Sequence, residues 1–111
     1  MNKYILIDYI IIDDTLCVTT FHVAPHKRRK GIGSNAVKDL EFLARQNACK
    51  SLTTASDLSK MALNFWLKNK FVCVDKNDFQ KINTVLSSSK EADYIFDLDN
   101  NSVVELFKPI E

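Results

Sequence analysis

Both glycines of this 111-residue chain, Gly31 and Gly33, lie in one short segment together with Pro25, one of its two prolines. Pro25 has no backbone N–H to give to a sheet ladder, so the β-branched and aromatic run in front of it must end there. The glycines then allow a sharp bend at little steric cost. From Ser34 the apolar residues Ala36, Val37, Leu40, Leu43 and Ala44 recur at helical spacing, which predicts a helix to about Asn47. A strand must therefore run into a glycine loop, and the loop into a helix.

The rest of the chain can be read around that centre. Residues 3–12 and 15–24 are rich in Ile, Val, Thr, Tyr and Phe, with Asp13 and Asp14 as turn chemistry between them, and this predicts an antiparallel hairpin. Residues 51–55 form a short strand candidate. Asp57 or Ser59 then caps a helix carrying Met61, Leu63, Phe65, Trp66 and Leu67. Residues 71–75 read as a strand and 77–87 as a weaker amphipathic helix with Phe79, Ile82, Val85 and Leu86 on its apolar face. A loop at Ser87 to Ser89 is followed by two closing strands, 94–98 and 103–108, around a turn at Asp99 to Asn101. The order of elements predicts an α/β fold in the α+β sense, a mixed sheet with helices packed on it, in one domain over residues 1–111. A composition of 46% hydrophobic and 26% charged residues excludes collagen-like and disordered chains.

The longest apolar run, residues 4–12, is interrupted by Asp8 and falls well short of the roughly 20 residues that cross a bilayer. With no secretory signal at the N-terminus, the expectation is a cytoplasmic protein without membrane contact. Cys17, Cys49 and Cys73 lack C-x-x-C spacing and lie in or beside apolar segments, so reduced, buried thiols are expected, with no disulfide framework and no metal site. In that reading Cys17 and Cys73 are small core hydrophobes, not nucleophiles.

The net charge of +1 conceals a segregation of charge. His26-Lys27-Arg28-Arg29-Lys30 is strongly basic, whereas residues 91–111 contain Glu91, Asp93, Asp97, Asp99, Glu105 and Glu111 against Lys108 alone. The basic segment meets the glycine loop at the start of a helix, where unpaired N–H groups and the helix dipole favour an anion. A pyrophosphate would collect several such bonds, and Arg28, Arg29 and Lys30 would add charge-assisted ones. The spacing is neither the P-loop nor the G-x-G-x-x-G dinucleotide fingerprint. As a nucleic-acid patch the run lacks basic residues spread over a face with interleaved aromatics, so a nucleic-acid-binding domain is the lesser reading.

Arg28-x-x-Gly31-x-Gly33 resembles the R/Q-x-x-G-x-G/A signature of the GNAT superfamily of N-acetyltransferases, and Val23-x-Pro25 resembles its lead-in. A second segment, residues 62–71, resembles the family's A-x-x-F-Y-x-K-x-G-F element, with Trp66 in place of Tyr and Lys70 in place of Gly. Together these matches cover about residues 14–76, with the acidic closing strands of 91–111 outside them. The resemblance implies a reduced GNAT-like acyl-CoA N-acyltransferase fold that takes acetyl-CoA as co-substrate and passes its acetyl group directly to an amine.

By that resemblance the backbone of Phe21 and Val23 pairs with pantetheine, and Arg28, Arg29, Lys30, Gly31, Ile32, Gly33 and Ser34 hold the pyrophosphate. Ser59, Asn64, Trp66 and Lys68 lie along the CoA arm. His22, in the strand facing the thioester, is the candidate base. Because Trp cannot donate the proton that the family's Tyr gives to the departing thiolate, Tyr94 is the candidate acid. Family members carry a strand and two helices before the hairpin. Their absence here implies an open acceptor side, suited to a protein or other large acceptor or to completion by a second subunit in a homodimer. A non-catalytic acyl-CoA-binding or partner-binding module on the same fold is the alternative.

Overall fold

The computed structural model describes residues 4–28, 30–87 and 103–110. In chain order it has β1 (Ile5–Ile12), β2 (Thr15–Val23), a 3-10 turn (Pro25–Lys27), α1 (Ile32–Gln46), β3 (Ser51–Asp57), α2 (Lys60–Lys68), β4 (Val72–Cys73), α3 (Lys76–Ser87) and β5 (Val103–Pro109). The five strands form one sheet in the order β1-β2-β3-β5-β4, the α/β class expected from the sequence. The chain divides into two compact units, residues 1–53 with 109–111 and residues 54–108, with β3 contributing to both.

In the first unit β1 and β2 pair antiparallel from Ile5 opposite Val23 to Ile12 opposite Thr15. The intervening turn places Asp13 at φ 53°, a left-handed conformation that Asp tolerates. The register shifts between Asp8 and Tyr9, where Thr20 and Val18 are the partners, so Thr19 is an extra residue on β2. Leu16 and Val18 of β2, Ala36, Val37, Leu40 and Ala44 of α1, and Leu52 of β3 are buried. α1 starts at Ile32, two residues before the expected Ser34, because Gly31 at φ 81° can act as its N-cap. At its other end Ala48 N–H donates to Arg45 O (3.1 Å) and Cys49 N–H to Ala44 O (2.8 Å), the paired bonds of a Schellman termination. The amide of Lys50 donates to Asp14 O (2.6 Å) and that of Ile110 to Lys50 O (2.7 Å), which ties the hairpin turn to the start of β3 and to the chain's C-terminal end.

In the second unit Leu58, Leu63, Trp66, Phe71, Ile82, Val85, Val104 and Leu106 are buried. Ser59 is the N-cap of α2, its Oγ accepting from Ala62 N–H at 3.1 Å, and Asp57 Oδ1 in turn accepts from Ser59 N–H at 3.0 Å. α2 ends in a second Schellman motif, with Lys70 N–H on Leu67 O (3.0 Å) and Phe71 N–H on Trp66 O (3.1 Å).

Several expectations are corrected. The strand expected over 71–75 shrinks to Val72 and Cys73, because Asp75 Oδ1 accepts from Asn77 and Asp78 N–H (2.8 and 3.1 Å) and so draws the chain into the start of α3. Phe79, expected on the apolar face of that helix, is exposed. Cys17 and Cys73 are only half-buried, while Cys49 is buried, and all three thiols are free. Strand 94–98, the turn at 99–101 and the Ser88 and Ser89 part of the loop lie outside the described residues. No helix among the described residues is long and apolar enough to cross a membrane.

Candidate functional site

The passage from β2 to α1 forms the candidate site. β2 ends at Val23, and the 3-10 turn opens on Pro25, which needs no N–H partner at that position. Lys27 N–H closes the turn on Ala24 O at 2.8 Å. The side chain of Arg28 reaches back, its Nε donating to Val23 O at 3.1 Å, and so clasps the loop against the strand end.

Gly31 has φ 81°, a left-handed conformation that favours glycine, and a Cβ built on it meets nothing within 4 Å, so the space beside it stays open. The first intrahelical bond of α1 runs from Asn35 N–H to Gly31 O at 2.9 Å. The amides of Ile32, Gly33 and Ser34 precede that bond and have no carbonyl one helical turn back. No side chain caps them and no acidic residue lies in the first turn. Near this positive end of the helix, Lys30 is exposed and Arg28 half-buried. Arg29 lies outside the described residues.

A residue that the sequence did not single out completes this corner. Tyr4 O accepts from Ala24 N–H at 2.8 Å, and the Tyr4 ring meets His26 edge-on with centroids 5.7 Å apart. Lys27 Nζ stands 4.6 Å from the same ring centroid. The signal was the hairpin register: carrying the Ile5 to Val23 pairing one step further sets Tyr4 opposite Ala24.

The same register orients the backbone of β2. Since Ala24 donates to Tyr4, antiparallel alternation makes His22 with Leu6 a hydrogen-bonded pair and Phe21 with Ile7 a non-hydrogen-bonded one. Phe21 and Val23 therefore turn their peptide groups away from β1, to the side on which β3 is the neighbour of β2, and the Val23 carbonyl accepts from Arg28. The side chain of His22 is exposed.

A model of the acetyltransferase (GNAT) family matches residues 6–71. The chain belongs to the GNAT acetyltransferase family. No curated protein matches it. Among solved structures, the fold is similar to PaiA N-acetyltransferase from Thermoplasma acidophilum in complex with coenzyme A (TM-score 0.69, 14% identity, 96% of this chain, 53% of that one). It is also similar to Ard1 from Thermoplasma volcanium (TM-score 0.69, 16% identity, 97% and 64%) and to a GNAT acetyltransferase from Elizabethkingia anophelis with acetyl-CoA bound (TM-score 0.64, 18% identity, 96% and 68%). The chain thus spans about half to two thirds of the length of these proteins.

The GNAT motif in the second unit is built differently from the loop. Ser59, one of the expected CoA contacts, is buried and its hydroxyl oxygen serves the first turn of α2. Asn64 and Lys68, one helical turn apart, are exposed together on the face opposite the buried Trp66. Trp66 is only 6% exposed and packs edge-on against Phe65 and Phe71, each ring centroid 4.9 Å away. It is the residue three before the cap and Phe71 the second after it, the pair whose contact commonly seals a Schellman motif. Lys70, where the GNAT pattern has Gly, sits at φ 72°. The pattern's glycine is explained by this left-handed position, which Lys occupies at a cost. The Cys73 thiol is pushed above its ordinary value, first by burial and then by Asp78. Tyr94 lies outside the described residues. Among the described residues no group of three His, Cys, Asp or Glu side chains is arranged to hold a metal ion.

Proposed function

We propose that this chain binds acetyl-CoA and catalyses acetyl transfer to an amine, of a protein or another large acceptor. The observation that carries this reading is the uncapped first turn of α1, opened by Gly31 at φ 81° and flanked by Arg28 and Lys30. Family membership and the coenzyme A and acetyl-CoA bound to two of the structural relatives support it.

In this reading the amides of Ile32 to Ser34 and the cations Arg28, Arg29 and Lys30 hold the pyrophosphate. The backbone N–H groups of Phe21 and Val23 pair with the pantetheine arm. The acceptor nitrogen attacks the thioester carbonyl carbon, the C–S bond breaks, the nitrogen loses a proton and the departing thiolate gains one. A lysine acceptor with pKa about 10.4 is neutral in only about 1 of 2,500 molecules at pH 7, equivalent to about 4.6 kcal/mol. His22 is the base that offsets this, and Tyr94 the acid. Asn64 and Lys68, on the exposed face of α2, contact the CoA arm, whereas Ser59 supports it by holding that helix. The expected cytoplasmic location accords with a thioester co-substrate.

Titration calorimetry with acetyl-CoA tests the reading. Micromolar binding is expected. Arg28→Ala should weaken it without unfolding the chain. Gly31→Asn, which tolerates a left-handed backbone, should abolish it by crowding the open side of the loop. Unchanged affinity in both variants would remove the assignment. Mass spectrometry of peptide and polyamine panels then separates enzyme from binding module. The buried Trp66 at the position of the family's acid favours the second reading if the chain binds acetyl-CoA and transfers nothing.

A further inference from the structure

The backbone bonds that hold the 3-10 turn between β2 and α1 are unequal. At its entry Ala24 N–H donates to Tyr4 O at 2.8 Å, and Lys27 N–H to Ala24 O at 2.8 Å. At its exit the bond is long, Arg28 N–H reaching Pro25 O at 3.4 Å, and Arg28 leaves the turn extended at φ −71° and ψ 158°. A turn with so stretched a last bond is weakly fixed where the chain departs. The side chain of Arg28 supplies the missing tie, its Nε donating at 3.1 Å to Val23 O, back across the turn to the end of β2. Two residues then lead to Gly31, the left-handed N-cap of α1. The point from which the chain enters α1, and with it the place of the Ile32, Gly33 and Ser34 amides, follows from this bond.

The same bond restricts the guanidinium elsewhere. Arg grips a phosphate most specifically through two parallel N–H groups, and the pair that includes Nε is taken while Nε serves Val23. Positive charge beside the loop has another source, since Lys30, next to Gly31, is exposed. We propose that Arg28 is a positioning residue of the acetyl-CoA site, one that sets the loop through its Nε donor and whose charge is secondary. This role rests on acetyl-CoA being the ligand of the loop.

Donor and charge are separable by substitution. Gln carries its Nε2 the same number of bonds from Cα as the Arg Nε, so Arg28→Gln can restore the bond to Val23 O without the charge. Lys keeps the charge but has a methylene at that place, and Met has neither donor nor charge. Calorimetry with acetyl-CoA should show Arg28→Gln binding more tightly than Arg28→Lys and Arg28→Met by about 5-fold or more, the equilibrium worth of about one hydrogen bond. In amide NMR spectra of the free chains, the Gly31, Ile32 and Gly33 resonances should move less in Arg28→Gln than in the other two, while those of the buried residues of α1 stay in place in all three. Arg28→Lys binding as tightly as Arg28→Gln, or loop resonances that move alike in every variant, overturns the positioning role. A wild-type chain that binds no acetyl-CoA removes the reading of the site instead, and the free-chain spectra still decide whether the Nε bond sets the loop.

Discussion

Lys70 and Trp66 are where this chain leaves its family's pattern, and each departure has a measurable consequence. A non-glycine residue in the left-handed region costs roughly 1–2 kcal/mol, partly offset because glycine loses about 0.4–1 kcal/mol more chain entropy on folding. Lys70→Gly should therefore stabilise the chain by about 0.5–1 kcal/mol, visible as a raised denaturation midpoint, and Ala48→Gly at φ 56° should act in the same direction. Unchanged or lowered stability in both would mean that the left-handed positions carry no strain. Trp66→Ala, which empties a site sealed by Phe65 and Phe71, should cost about 3–5 kcal/mol. In an active chain Trp66→Tyr should retain or raise turnover, whereas Tyr94→Phe should lower kcat by about 100-fold or more with little change in acetyl-CoA affinity.

The loop between β2 and α1 depends on contacts that its own sequence does not contain. Tyr4 holds the 3-10 turn by a backbone bond, a ring contact with His26 and a cation contact with Lys27. Exposed cation–π contacts are worth about 0.5–1 kcal/mol, so Tyr4→Leu should weaken acetyl-CoA about 2- to 5-fold while leaving the hairpin's circular dichroism intact. An unaltered affinity would show that the turn holds its shape without the ring. The elements themselves were legible because their signals are local. Pro25, Gly31 and the helical periodicity from Ala36 marked the loop, and Ser59 was readable as a cap. The shortness of β4 was not, since a capping Asp75 and the last residue of a strand look alike in sequence.

For the whole molecule, a net charge of +1 and a basic stretch confined to residues 26–30 set the response to polyanions. Nucleic acid should bind weakly, without sequence preference, and be released by about 0.2 M salt as counterions compete for the few phosphates contacted. A sequence-preferring complex persisting at that salt would overturn this expectation. By itself the sequence determined the hairpin, the glycine loop, three helices and the family, because periodicity, proline, glycine and capping residues act within a few positions of one another. Tertiary structure decided which of these local features meet. It committed the Val23 carbonyl to Arg28, brought Tyr4 to the loop between β2 and α1, left Phe79 exposed where its helical spacing implied burial, and left Ile10, Ile11 and Ile12 of β1 exposed while burying Ile5. Each of these turns on which element lies beside which, a property of the packed chain that no window of sequence contains.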